Sequence, residues 1–473
     1  MATGNLTMDE LTAGYAAGEF DTVIVAFTDM QGRLIGKRVA ARLFIDDIAE
    51  HGADCCNYLL AVDVENNTVG GYAISSWERG YGDMVMKVDE SSLRRLPWLP
   101  GTAMVTADLT WLDGSPVSQS PRAILRAQLD RLAERGMSAF VGTELEFIVF
   151  DDTYRDAWAK RYQGLTPATD YNIDYALLAS TRMEPLLLDI RKGMDGAGMY
   201  CEGVKGECNL GQQEIAFKYA EALDTCDNHS LYKNGAKEIA DQHGKALTFM
   251  AKFNEREGSS CHIHLSVRGH DGSPVMADTS DEHGLSTFGK QWMAGQLAAL
   301  RELTLFFAPN VNSDKRFVPG SFAPTAVAWG VDNRTCSLRL VGTGHSLRPE
   351  NRVPGGDVNQ YLAVAAMIAS GLDGVDRGLE LPAPLTGNAY TSDAEHVPST
   401  LRAATKLFEE SPLARAACGD AVVEHYLNRA RVEQLRQQIT SLPFDDAAAE
   451  EYGKIRAVLS AAGTPIGPHD LLL

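Results

Sequence analysis

The stretch AFVGTELEFIVF, residues 139–150, constrains the fold more than any other part of the chain. It alternates with the period of a β-strand, so Val141, Leu145, Phe147 and Val149 share one face. Phe140, Ile148 and Phe150 share the other, and Glu144 and Glu146 stand in the middle of it. Unpaired carboxylates buried side by side are strongly destabilising unless cations neutralise them. Two readings stand: an exposed strand with solvated glutamates, or a buried strand that carries its carboxylates to cations.

A second alternating stretch, EREGSSCHIHLSV (255–267), turns Cys261, Ile263, Leu265 and Val267 one way and His262, His264 and Ser266 the other. Alone, such histidines are surface groups or satisfied core groups as readily as ligands. KGECNLGQQEIAFKY (205–219) adds Glu207 and Glu214 around a bend at Gly211, and RPENR (348–352) holds Glu350 between arginines. Five carboxylates with one imidazole suit Mg²⁺ or Mn²⁺; structural zinc would want thiolates or more histidines. Arg316, Arg334, Arg339, Arg348 and Arg352 crowd residues 312–352. They serve either as salt-bridge partners or as a cage for an anionic substrate. Cations together with arginines are what phosphoryl transfer requires.

The 473 residues allow more than one domain, and 45% hydrophobic with 22% charged residues is ordinary for a soluble globular protein. A formal net charge of −20 argues against a nucleic-acid partner. MATGNLTMDE has neither a basic head nor an apolar run, so no signal peptide is expected. YLAVAAMIASGL (361–372) is too short to span a bilayer and reads as a buried helix. Eight cysteines without a Cys-x-x-Cys pair suggest reduced thiols in a soluble cytoplasmic protein with no membrane partner.

Strand-like segments at 21–29, 36–44, 83–89 and 103–111, with a helix near 45–52, make a small α+β unit over residues 1–112. LDGSPVSQSPR closes it, and a helix with Ser120 as cap, Pro121 in its first turn and Gly136 as stop opens the larger part, 118–473. That part is expected to be α+β on an antiparallel sheet, mostly helical beyond 357.

These motifs, in this order, resemble the glutamine synthetase family nearly end to end: Glu-Leu-Glu at 144–146, Glu207 and Glu214 around Gly211-Gln212, and His-Ile-His at 262–264. DKRFVPGSFAPT, DNRT and ENR complete the series. The resemblance implies a β-grasp-like amino-terminal domain, a catalytic domain with a curved antiparallel sheet, and a homo-dodecamer of two stacked hexamers. It implies ATP as co-substrate and two Mg²⁺ or Mn²⁺ ions, one on Glu146, Glu207 and Glu214, the other on Glu144, His262 and Glu350. His264, Ser266 and Tyr219 match nucleotide positions, as do Arg334, Arg339 and Arg348, while Gly258, Arg316 and Arg352 match glutamate positions. Arg334 and Arg316 are the expected catalytic residues. The implied reaction phosphorylates the γ-carboxylate of glutamate and lets an amine displace phosphate.

Three departures bear on the amine. Phe322 stands where ammonia-using members carry a glutamate, the amino-terminal Asp-Gly-Ser-Ser loop is missing, and the usual Asn-Gly reads Glu257-Gly258. A phenyl ring in place of a carboxylate suits an organic amine. The pattern is similar to the γ-glutamyl-amine branch, with ethanolamine the first expectation. Polyamines, ammonia and a non-catalytic relative are the alternatives. Asp63 and Glu65 are the candidates for the amine's base. Leu379 replaces the tyrosine of adenylylated members, so that switch is expected to be absent.

Overall fold

The computed structural model describes residues 4–438. The first sheet is built from β1 (Thr22–Thr28), β2 (Leu34–Ala40), β3 (Ala53–Cys56), β4 (Asp83–Val88), β5 (Arg94–Arg95) and β6 (Thr102–Thr110). Its order is β2-β1-β6-β4-β3, with β5 on β6; only β1 and β6 run parallel. The segment expected as a strand over 36–44 ends at Ala40, and the chain is helical from Ala41 to His51, with a π-type turn at Phe44–Ile48. Phe44 and Ile48 are buried four residues apart, so helical spacing overrides alternation there.

The second sheet comprises β7 (Met137–Phe150), β8 (Cys201–Gly206), β9 (Gln212–Phe217), β10 (Ala220–Glu221), β11 (Ala246–Thr248), β12 (Cys261–Gly269), β13 (Ala326–Val331), β14 (Cys336–Val341) and β15 (Arg348–Asn351). The order is β13-β14-β15-β12-β7-β9-β8, with β10 and β11 both on β7. It is antiparallel as expected except for β13 and β14, which pair in parallel with a register shift between Ala326 and Trp329. Asp332 (φ 49°) starts the short connection between them, and the Asn333 amide ties it to the carbonyls of Leu385 and Gly387.

Val141, Leu145, Phe147 and Val149 of β7 and Cys261, Ile263, Leu265 and Val267 of β12 are buried to within 1% exposure. These apolar faces fix the register of the two strands, since a one-residue slip would turn them to the other side. Helix Ala222–Gln242 packs on β7, and helix Pro121–Ala133 lies against both β7 and helix Gln360–Asp376. Ser120 sits at the N-cap but its hydroxyl makes no capping bond; Pro121 and Gly136 (φ 72°) bound the helix as expected.

Helix Gln360–Asp376 is buried on every side through Leu372. Among the described residues, no helix is long and apolar enough to cross a membrane. The eight cysteines form no disulfide.

That helix meets helix Thr287–Ala299 backbone to backbone. A Cβ on Gly374 would lie 2.6 Å from Gly295 Cα and collide with the Gln291 carbonyl. Gly374→Ala is therefore expected to destabilise the chain by about 1–3 kcal/mol through overpacking. Urea denaturation would register it as a lower midpoint with an unchanged slope.

The two sheets are joined by charge. Arg122 is 2% exposed and bonds Asp227 of helix Ala222–Gln242 together with Asp89 and Asp108 of the first unit. Tyr361 donates its hydroxyl to the same Asp227, at 2.5 Å.

Candidate active site

Strand register assembles the site. Glu144 lies opposite His262, His264 opposite Glu350, and Glu350 opposite Arg339. On the other flank, Glu146 lies opposite Glu214, and Glu214 opposite Lys205. Because side chains two apart share a face, one surface of the sheet carries these carboxylates, imidazoles and cations, with Gly142 opposite His264 and Ala216 opposite Glu144. The buried-strand reading of residues 139–150 is the one realised.

Two cavities open on this face. A cleft of about 240 Å³ is lined by Glu144, Glu146, Glu207, Glu214, Gly258, His262, Phe322, Arg334, Arg339 and Arg352, among others. A larger one, about 630 Å³, is lined by Tyr219, His264, Ser266 and Arg348, and Glu144 is a wall of both. A Cβ on Gly258 would lie 2.5 Å from Arg316 Cγ, so only glycine fits between the cleft and that arginine.

Donor atoms of Glu146, Glu207 and Glu214 lie within 4.8 Å of one another. Burial pushes the Glu214 carboxyl up to about 9, against the pull of Lys205, and neighbouring carboxylates add to the rise. Burial and Glu207 raise Glu146 to about 7, although Ser260 N–H and the Gln212 amide donate to it at 2.8 and 2.9 Å. Two buried acids and the half-buried Glu207, all resisting the loss of their protons, fit a divalent cation.

The second cluster is subtler. Donor atoms of Glu144, His264 and Glu350 also lie within 4.8 Å. However, Arg348 Nε donates to His264 Nδ1 at 3.2 Å, which commits that ring to carrying its proton on Nε2, 3.0 Å from Glu144. His264 thus offers Glu144 a proton rather than a cation a lone pair. His262 Nδ1 lies 3.2 Å from Glu144 and 3.4 Å from Glu350, and its buried Nε2 has no hydrogen-bond partner. Burial, then Arg352, lowers His262 to about 4, so the ring is neutral near pH 7 and keeps a lone pair. Because Nδ1 is the ring atom that faces Glu144 and Glu350, His262 can serve a cation between them only with its proton on Nε2. Burial works against ionisation of Glu144, yet the two imidazoles hold it well below the usual carboxylate range.

The arginines divide by depth. Arg339 donates to Glu350 at 3.0 Å and Arg352 at 2.6 Å, so the fully buried Glu350 carboxylate is neutralised on both sides. Arg316 does not line the cleft as expected: it is 2% exposed and bonds Ser260 Oγ (2.8 Å) and the Val353 carbonyl (3.0 Å). It adjoins the cleft through Ser260 and through its stem against Gly258. Asp63 and Glu65 do not line it either; the Asp63 carboxylate accepts from the amides of Glu65 and Asn67 in its own turn.

Several lining residues escaped the sequence reading. Lys205 ion-pairs with Glu207 and lies 3.8 Å from Glu214; strand spacing from Glu207 could have found it. Asp174, Tyr175 and Cys208 also line the cleft. The first two come from a loop without periodicity, which left no signal. In the larger cavity, Arg268 lies over the rings of Phe140 and Tyr219, at 4.6 and 5.3 Å.

A pH dependence follows. Glu146 and Glu214 keep protons in the folded, cation-free chain that the unfolded chain loses near pH 4.5. Their contribution to stability falls as pH rises from there through about 7 and about 9. Mg²⁺ added at pH 7.5 is expected to release roughly one proton per chain. Titration calorimetry in buffers of different protonation enthalpy measures it, and no release would refute it.

Residues 118–446 match the family profile described as glutamine synthetase, catalytic domain. The chain is 63% identical over 431 residues to the γ-glutamylethanolamide synthetase GlnA4 of Streptomyces coelicolor, covering 91% of this chain and 93% of that protein. It is 35% identical to a glutamate–isopropylamine ligase of Pseudomonas sp, covering 88% and 92%. A solved structure described as a GmaS/ADP complex superposes with a TM-score of 0.81 at 26% identity, covering 93% of this chain and 99% of that one.

Proposed function

The chain belongs to the glutamine synthetase family and is an ATP-dependent ligase that joins glutamate to a small amine, and we propose that this amine is ethanolamine. The observation that carries the reading is the row of carboxylates, imidazoles and arginine on one sheet face, with Phe322 57% exposed on the adjoining cleft. The ethanolamide-forming relative supports the choice of amine.

Enzymes of this family use ATP and divalent cations. Glu146, Glu207 and Glu214 would hold one cation, and Glu144, His262 and Glu350 the other. Bound there, the cations supply charge neutralisation across the phosphoryl oxygens. The chain's residues do the rest. Tyr219, His264, Ser266 and Arg348 line the cavity proposed for the nucleotide, whose wall at Glu144 opens toward the cleft. Arg334 and Arg339 present guanidinium groups to the transferring phosphoryl group. Gly258 and Arg352 contact glutamate, while Arg316 braces that wall through Ser260. Phosphate is the leaving group that makes the γ-carbon an electrophile for the amine. Water must be excluded while that acyl phosphate lasts.

Two stacked hexamers are proposed for the assembly, supported by Trp77, Trp158, Leu177 and Leu178, which are 69–81% exposed in the single chain. Light scattering at twelve times the chain mass would establish the dodecamer.

The experiment for the activity is phosphate release with ATP, Mg²⁺ and glutamate against ethanolamine, putrescine, aniline and ammonium. Ethanolamine should be the best substrate. If ammonium is clearly best, the reading of the amine fails.

A further inference from the structure

Four carboxylates of the cleft belong to the proposed cation sets: Glu144, Glu146, Glu207 and Glu214. Asp174 lines the same cleft and belongs to neither. Its carboxylate lies with a Glu207 oxygen and the Cys208 sulfur within 4.8 Å. The loop that carries it is fixed in place, because Ile173 is fully buried and Tyr175 N–H donates to the Gly206 carbonyl at 3.3 Å.

The next side chain brings an aromatic ring to a lining that is mostly polar. Tyr175 is 70% exposed, and the Lys205 ammonium sits 5.0 Å from the centre of its ring while paired with Glu207. A primary ammonium therefore already rests on this aromatic face, beside these carboxylates. Phe322 adds a second exposed ring to the same cleft.

A small alkylamine at neutral pH arrives as a cation followed by carbon. An anion next to aromatic faces suits both parts of it. Glu207 links this corner to the reaction centre, since it is a member of the Glu146–Glu207–Glu214 set as well as a neighbour of Asp174. An amine held at Asp174 would lie beside the Glu207 carboxylate of that set. Glu257, the other uncommitted carboxylate, adjoins Gly258 on the glutamate side.

We propose that Asp174 and Tyr175 select the amine, Asp174 by pairing with the alkylammonium and Tyr175, together with Phe322, by packing its carbon chain. This deepens the ligase reading and rests on it. With Glu207 and Glu214 holding a divalent cation, Lys205 would lose these anionic partners, and the ring face would be free for the substrate.

The test compares two nucleophiles on the full-length chain with Mg²⁺, ATP and glutamate. Ethanolamine is a cation at neutral pH, whereas hydroxylamine is largely uncharged and yields a γ-glutamyl hydroxamate. Asp174→Asn should lower the ratio of kcat/KM for ethanolamine to that for hydroxylamine by about tenfold or more, chiefly through KM for ethanolamine. Tyr175→Ala should lower the ratio by about fivefold, and Tyr175→Phe should restore it, because the ring rather than the hydroxyl is required. An unchanged ratio overturns the proposal, even if both rates fall together, since Asp174 would then serve the cation sites or the fold. A wild-type chain that makes neither γ-glutamylethanolamide nor hydroxamate would overturn the ligase reading itself, a different failure.

Discussion

Glu144→Gln is expected to lower turnover by about a thousandfold, the largest effect of any single change in the chain. The substitution keeps the side chain's size and an acceptor oxygen but removes a full negative charge. Glu144 is the meeting point of His262 at 3.2 Å and His264 at 3.0 Å, and a wall of both cavities. Losing that charge removes a cation donor and the acceptor that orients the His264 ring. Phosphate-release kinetics would measure the drop. Calorimetric titration of ATP with Mg²⁺ should show weakened nucleotide binding as well, because the two cavities share this residue. A purified Glu144→Gln protein that turns over like the wild type would refute the cation assignment.

The second large effect concerns selectivity. Phe322→Glu is expected to shift the preference between ethanolamine and ammonium by about a hundredfold towards ammonium. Phe322 is more than half exposed on the cleft and its carbonyl accepts from Arg352 at 3.4 Å, so its backbone is tied to the site while its ring faces open space. Removing the ring deletes carbon surface that an ethyl chain can cover, a loss of about 1–3 kcal/mol for such a pocket contact. The new carboxylate favours a compact cation. Competition between the two amines at equal concentration, read by product mass, measures the shift. No change in preference would detach Phe322 from amine recognition.

Much of the catalytic sheet was legible because two strands obey strict alternation. Buried faces at 141–149 and 261–267 left Glu144, Glu146, His262 and His264 only one direction to point, and register then set Glu214 and Glu350 against them. Of the strand-like segments read in the first 112 residues, 21–29, 83–89 and 103–111 match β1, β4 and β6 to within a residue at each end. The segment 36–44 overlaps β2 only in part because Phe44 and Ile48 take helical spacing, and β3 and β5 gave no such signal. What periodicity does not encode was lost. The parallel pairing of β13 and β14 depends on a turn through Asp332, and the depth of Arg316 depends on Ser260 and Val353 satisfying its guanidinium. Asp174 and Tyr175 reach the cleft from a loop whose position is set by contacts remote in sequence. The residue types that face the cleft could be inferred; the depth of Arg316 and the approach of Asp174 and Tyr175 could not.

The charged joint around Arg122 has a mechanical consequence. Excising residues 1–112 would leave Arg122 and Asp227 without Asp89 and Asp108. It would also cut the Asn359 amide from the Asp29 carbonyl (3.0 Å) and Arg429 from Gln31 (3.0 Å). Both parts lose these bonds together, so the two sheets should unfold cooperatively, in one calorimetric transition rather than two.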